Sequence, residues 1–259
     1  VPERITTARW ISWPQLLLTL ALLAALVFIP LRAVAAEAGN IELEHAEVGF
    51  DDKESLQRGW KYYMNYCMGC LSLKYARYER TATDLEVPPE LVLENIIFAD
   101  EAIGDLMENA MSVDDAKVWF GAAPPDLTLV ARVRSADWIY TYLKSFYNDD
   151  SRPFGTNNTV FANVGMPNAL HELQGDVECE MHVDESGEES CELHHVAGTG
   201  ALSEDEFDQV VGDITNFLYY IGEPVRERRK TIGFWVLAFL AVLYVFIWAT
   251  AREFSKDYH

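Results

Sequence analysis

Within Asn65-Tyr66-Cys67-Met68-Gly69-Cys70-Leu71-Ser72 lie two thiols separated by two residues. On a helical turn such a pair projects both sulfurs to one side. There they can form two thioethers to a porphyrin, ligate a metal, or close a redox disulfide. A c-type haem site needs a histidine directly after the second cysteine, because that imidazole binds the iron from the face the thioethers fix. Here that position is Leu71. A second cysteine pair, Cys179 and Cys191, lies in residues 176–206, a stretch with eleven Asp or Glu, no Lys or Arg, and His182, His194 and His195. The composition reads as an acidic surface insertion over 176–202. A Cys179–Cys191 disulfide would close it, worth on the order of 3 kcal/mol by loop entropy. Cysteine and histidine together also suit zinc, although these spacings match no familiar zinc pattern.

The elements that must hold these residues are mostly helical. Leu56, Trp60, Tyr63, Met64 and Cys67 recur at helical spacing, so Cys67 ends an amphipathic helix. Ser112-x-x-Asp115 and Ser203-x-x-Glu206 have the form of capping boxes, and Ser135 can cap a helix whose stripe is Trp138, Ile139, Tyr142, Leu143 and Phe146. After Ser203 the stripe is Phe207, Val210, Val211, Ile214, Phe217, Leu218 and Ile221, ended by Gly222 and Pro224. No alternating strand pattern of comparable length stands out. Residues 121–127 and 148–170, rich in Pro, Gly and Asn, read as ordered loops.

Two apolar segments frame this domain. Arg4 and Arg9, an apolar run from Leu16 to Leu31, and Arg32-Ala33-Val34-Ala35-Ala36 describe a signal peptide over 1–36, or an uncleaved N-terminal anchor. The 21 residues from Thr231 to Ala251 are almost wholly apolar and match the hydrocarbon thickness of a bilayer. Trp235 and Trp248 sit near the ends, where indoles prefer the interface. Arg226, Arg228, Arg229 and Lys230 before this segment outnumber Arg252 and Lys256 after it, but an export signal upstream overrides that bias. Residues 37–225 are therefore expected outside the cell membrane, with 226–259 as anchor and short cytoplasmic tail. The net charge of −21 argues against nucleic acid, which needs a basic surface, and favours a basic protein partner.

Taken in order, Asn65-Tyr66-Cys67-x-x-Cys70, Tyr75 and Tyr78, Trp119-Phe120-Gly121-x-x-Pro124-Pro125-Asp126-Leu127, Ala131-Arg132-x-Arg134, Val164-Gly165-Met166-Pro167 and a C-terminal anchor resemble the cytochrome c1 family, the haem subunits of cytochrome bc1 complexes, in its proteobacterial form. The resemblance runs from about residue 50 to the C-terminus. It implies a mainly α fold: a class I cytochrome c-like haem domain with long loops and a membrane anchor. It also implies one covalent haem c on Cys67 and Cys70, Met166 as axial iron ligand, Pro124 and Pro125 lining the pocket, and Arg134 on a propionate; Trp138 falls where the family often has a tyrosine. The implied partners are cytochrome b, a Rieske iron–sulfur protein and a soluble cytochrome c, in a dimeric complex in a bacterial inner membrane with the domain in the periplasm.

Leu71 departs from that pattern. Three readings compete: the functional protein has histidine there; another histidine (His45, His171, His182, His194 or His195) is recruited; or haem ligation is lost and the subunit is structural. The functional expectation is an electron carrier, non-catalytic by itself, within a quinol–cytochrome c oxidoreductase. The alternatives are a haem-deficient structural homologue and, more remotely, a dithiol oxidoreductase using Cys67 and Cys70, for which the thioredoxin-like βαβ context is missing.

Overall fold

Asp52 opens the first helix of the domain by accepting the amide of Ser55 at 2.9 Å, which satisfies one of the orphan donors of a helix start. The structure, a computed structural model, describes residues 42–98, 100–183 and 189–256; the expected signal or anchor segment 1–36 lies outside them. Helix α1 (Lys53–Tyr66) leads into strand β1 (Leu73–Arg77) and the short helices α2 (Tyr78–Asp84) and α3 (Pro89–Asn95). Strand β2 (Leu106–Met107) returns antiparallel to β1, followed by α4 (Val113–Phe120), α5 (Val130–Val133) and α6 (Ala136–Lys144). Strands β3 (Phe146–Asn148) and β4 (Thr156–Asn158) form a three-residue antiparallel ladder before α7 (His171–Gln174). A hairpin of β5 (Val177–Val183) and β6 (Glu189–His195) precedes the long helices α8 (Glu204–Gly222) and α9 (Arg226–Lys256).

The core lies where α1 packs along α8. Leu56, Trp60, Tyr63 and Met64 from α1 meet Val210, Val211, Ile214, Phe217 and Leu218 from α8, all buried. The Trp60 and Phe217 rings stack at 6.4 Å, and Tyr63 lies 5.7 Å from Phe217. The stripes expected from helical spacing are therefore the buried faces. Several polar groups inside this contact are paired, while the Trp60 indole N–H and the Thr215 hydroxyl are buried without a hydrogen-bond partner among the described residues. Arg58 meets the buried carboxylate of Asp213 through two bonds of 2.7 and 2.9 Å, and Asn216 accepts from Gly49 N–H and donates to Ser55 Oγ.

The expected caps form. Ser112, Ser135 and Ser203 each accept an amide three residues on, and Ser203 with Glu206 completes a reciprocal box. The Ser203 amide and hydroxyl bonds hold the Glu206 carboxyl below the usual glutamate range. That increment of helix stability is present above the ordinary glutamate pKa and is lost as pH falls through the lowered value.

In the acidic stretch the structure has paired strands, where the sequence reading found no strand pattern. They form a seven-residue-a-side antiparallel hairpin in which Glu180 faces Glu192 and Met181 faces Cys191. Cys179 and Cys191 are bonded across it, their Cα atoms 5.5 Å apart. With both sulfurs joined to each other, neither is free for zinc, and among the described residues no three metal-ligating side chains converge.

Helix α9 runs 31 residues, about 46 Å at 1.5 Å per residue, longer at both ends than the apolar segment read from sequence. It is long and apolar enough to cross a membrane and buries none of its residues against the domain. At its start Glu223, only 13% exposed, pairs with both Arg132 and Arg229, which ties the helix to α5.

Candidate functional site

Cys67 caps α1 with its amide on the Tyr63 carbonyl, and the chain then tightens into a turn in which Cys70 and Leu71 both donate to the Cys67 carbonyl. The turn divides the pair. Cys67 is buried with Met68 and Leu71, while Cys70 is exposed; both are free thiols. Desolvation, and secondarily the neighbouring Cys70, pushes the Cys67 thiol up to about 12. In chain produced without cofactor, Cys70 is expected to take iodoacetamide on the order of a thousandfold faster than Cys67, because the thiolate is the nucleophile and burial withholds it. Mass mapping of partially alkylated peptides at neutral pH reads the ratio; equal labelling would contradict the burial of Cys67.

The loop with Pro124 and Pro125 is drawn beside Cys70 by Ser72. The Ser72 carbonyl accepts Leu127 N–H at 3.0 Å and its hydroxyl accepts Asn109 N–H at 3.1 Å, while Asp126 accepts from Lys74 and Thr128. The result is a cavity of about 120 Å³ lined by Cys70, Asn109, Met111, Ala116, Pro124 and Pro125 among others. Pro125 is exposed and Pro124 half-buried. Of the two tyrosines in the motif, Tyr78 is buried and donates to Glu101 at 2.8 Å, whereas Tyr75 is 78% exposed.

Met166 lies on a separate loop and is not among the residues lining that cavity. Its loop has little regular structure, so its backbone groups are satisfied by side chains. Asn158, 1% exposed, accepts the amides of Val160 and Phe161 and donates to the Tyr142 carbonyl. Asn157 accepts the amide of Asn163, and Arg152 donates to the Asn163 side chain and carbonyl. Asn163 sits at φ 61°, a left-handed conformation that asparagine tolerates better than most residues. Met166 itself is half-buried and accepts from the Tyr142 hydroxyl at 3.4 Å. Tyr142 stacks on Trp138 at 4.8 Å, and the Arg134 guanidinium lies 5.2 Å over the Trp138 ring. Phe154 of this loop meets Phe120, the last residue of α4, at 6.1 Å, which joins the Met166 loop to the wall of the Cys70 cavity. Replacing Asn158 with alanine strands two loop amides and should cost about 2–3 kcal/mol; faster proteolytic cutting within 150–168 would register it, and an unchanged urea midpoint would contradict it.

The structure thus gathers Cys70, Pro124 and Pro125 at one cavity and Met166, Tyr142, Trp138 and Arg134 in one cluster. Sequence reasoning missed Tyr142, Asn157, Asn158 and Arg152. Tyr142 reads only as part of an apolar stripe, and nothing in an asparagine pair announces that it will stand in for a strand ladder. Among the described residues no histidine lines the Cys70 cavity; His45, His171, His182 and His194 lie against Asp137, Asp176, Glu192 and Glu180 respectively. A recruited histidine finds no support in this arrangement. The donor set fits a c-type haem in three respects: two free thiols, a held thioether sulfur, and an arginine within reach of the same cluster. It does not supply the proximal nitrogen, since Leu71 is an apolar side chain only 9% exposed in the core.

Residues 198–258 match the family model described as the cytochrome C1 family. Over 240 residues the chain is 47% identical to cytochrome c1 of Allochromatium vinosum, spanning 92% of this chain and 98% of that protein. It is 37% identical to the ammonia monooxygenase gamma subunit of Nitrosomonas europaea, spanning 92% and 97%. Mitochondrial cytochrome c1, heme protein, of Neurospora crassa is 25% identical over 80% of this chain. Identity of this extent, end to end with a bacterial cytochrome c1, places the chain in a family: it belongs to the cytochrome c1 family.

Proposed function

We propose that this chain is the haem-bearing electron-transfer subunit of a cytochrome bc1 complex, taking electrons from a Rieske iron–sulfur protein and passing them to a soluble cytochrome c. Cys67 and Cys70 would hold one haem c by thioethers, Met166 would give a sulfur ligand to its iron, Pro124 and Pro125 would line its pocket, and Arg134 would pair with a propionate, in a class I cytochrome c-like domain. A bound haem supplies a one-electron couple; the protein's part is to bind it, orient it and set its potential. Residues 37–225 form the periplasmic domain and 226–259 the anchor in a bacterial inner membrane, beside cytochrome b and lipid in a dimeric assembly. The acidic surface steers a basic carrier, with association that weakens as salt rises.

One observation carries this reading: two unbonded thiols at the end of a core helix, one of them opening on the Pro124–Pro125 cavity. Expression alongside c-type maturation machinery, followed by intact mass and a denaturing haem stain, tests it. The expected result is a gain of one haem mass that survives denaturation and is lost in Cys67→Ser/Cys70→Ser. A wild-type chain with no added mass and two alkylatable thiols would replace this reading with the haem-deficient structural homologue, which draws no support from the comparisons.

A further inference from the structure

Tyr142 is the only described residue recorded donating to Met166, and no expectation drawn from the sequence gave it a role. A thioether sulfur is a weak acceptor, so a hydroxyl directed at it is a more specific arrangement than packing requires. A phenylalanine would fill the same space against Trp138 and Phe146. The phenol is nonetheless held on all sides. Its ring stacks on Trp138 with 9° between planes and meets the Phe146 edge at 5.1 Å and 72°. Its carbonyl accepts the Asn158 side-chain amide at 2.8 Å, and Asn158 fixes the start of the Met166 loop through Val160 and Phe161. Helix α6 and the loop are therefore locked at two points, one on the main chain and one at the sulfur.

From this geometry, and resting on the proposed role of Met166, we infer that Tyr142 is a positioning residue that orients the methionine sulfur and tunes its donor strength. A thioether sulfur has two lone pairs. The phenol O–H occupies one, leaves the other for iron, and draws electron density away from the sulfur. A poorer donor stabilises ferric iron less, so the bond raises the reduction potential; outer hydrogen bonds tune metal ligands in this manner.

The test compares haem-loaded full-length wild type, Tyr142→Phe, Met166→Ala and the double variant in detergent, by redox titration and by iron–sulfur scattering in X-ray absorption. Tyr142→Phe should keep its haem and its thermal midpoint within a few degrees. Its reduced-to-oxidised equilibrium should fall about tenfold, a drop of about 59 mV for a one-electron couple. On the Met166→Ala background the same change should shift nothing, which a merely structural role would not predict. Fluorinated tyrosine at 142, a stronger donor of the same shape, should move the potential upward. A Tyr142→Phe potential equal to wild type, with haem attached and the iron–sulfur scattering intact, overturns the inference and spares the proposed function. Wild type without attached haem overturns both.

Discussion

Gly59→Val should cost about 3–5 kcal/mol, at or beyond the upper range for overpacking, and leave the full-length chain largely unfolded in mild urea. Gly59 lies where α1 crosses α8, and a Cβ built there would stand 2.0 Å from the Asp213 carbonyl oxygen and 2.8 Å from the Phe217 Cβ. The obstacle is backbone, so no side-chain rotation relieves it. The helices would have to separate, opening the contact that buries Trp60, Tyr63 and Phe217. Gly104→Ala, where nothing lies within 4 Å, is the control and should stay within about 0.5 kcal/mol of wild type. A urea midpoint for Gly59→Val matching that control would mean the two helices do not cross as described. Arg58→Met probes the same crossing more gently. It strands the Asp213 carboxylate, 5% exposed, but Arg58 itself is 41% exposed and screened by water, so about 2 kcal/mol is expected rather than the full cost of breaking a buried pair.

This crossing was half legible in the sequence. The apolar stripes of α1 and α8 name the two faces, and Ser203 with Glu206 names where α8 begins, because period and capping are local properties. That Gly59 is the contact point was not legible: a glycine inside a helical pattern reads as a weak spot until its neighbour across the crossing is known. The hairpin was missed for a different reason. Val177-Glu178-Cys179-Glu180-Met181-His182-Val183 does alternate apolar and polar residues, the strand signature, but its dense acidic composition equally fits a solvated loop. At the site, the paired cysteines and the Gly-Met-Pro loop could be picked out by residue type. The side chains that hold that loop, Asn157, Asn158 and Arg152, could not, because loop amides take whichever acceptor the fold brings near and no spacing rule encodes it.

Leu71→His should have opposite consequences in chain without haem and chain with it. The backbone at 71 is pinned: its amide donates to the Cys67 carbonyl at 3.0 Å, and its own carbonyl accepts the Tyr63 hydroxyl at 2.5 Å. A replacement side chain therefore starts from the same point, buried beside Cys67 and Met68. Without haem, the imidazole gives up leucine's apolar burial and brings a polar ring into the core cluster, so stability should fall by about 3 kcal/mol. With haem attached, that ring supplies the nitrogen donor the wild-type site lacks, and the penalty should vanish or reverse. The loaded wild type, held on one face by Met166 alone, is expected to be high-spin and to bind carbon monoxide; loaded Leu71→His is expected to be low-spin and to resist it. Thermal melts of both forms, with and without carbon monoxide, read the two signs separately. A loaded wild type that is already low-spin and refractory to carbon monoxide would place the second axial donor somewhere other than position 71, and the histidine variant would then lose stability in both forms.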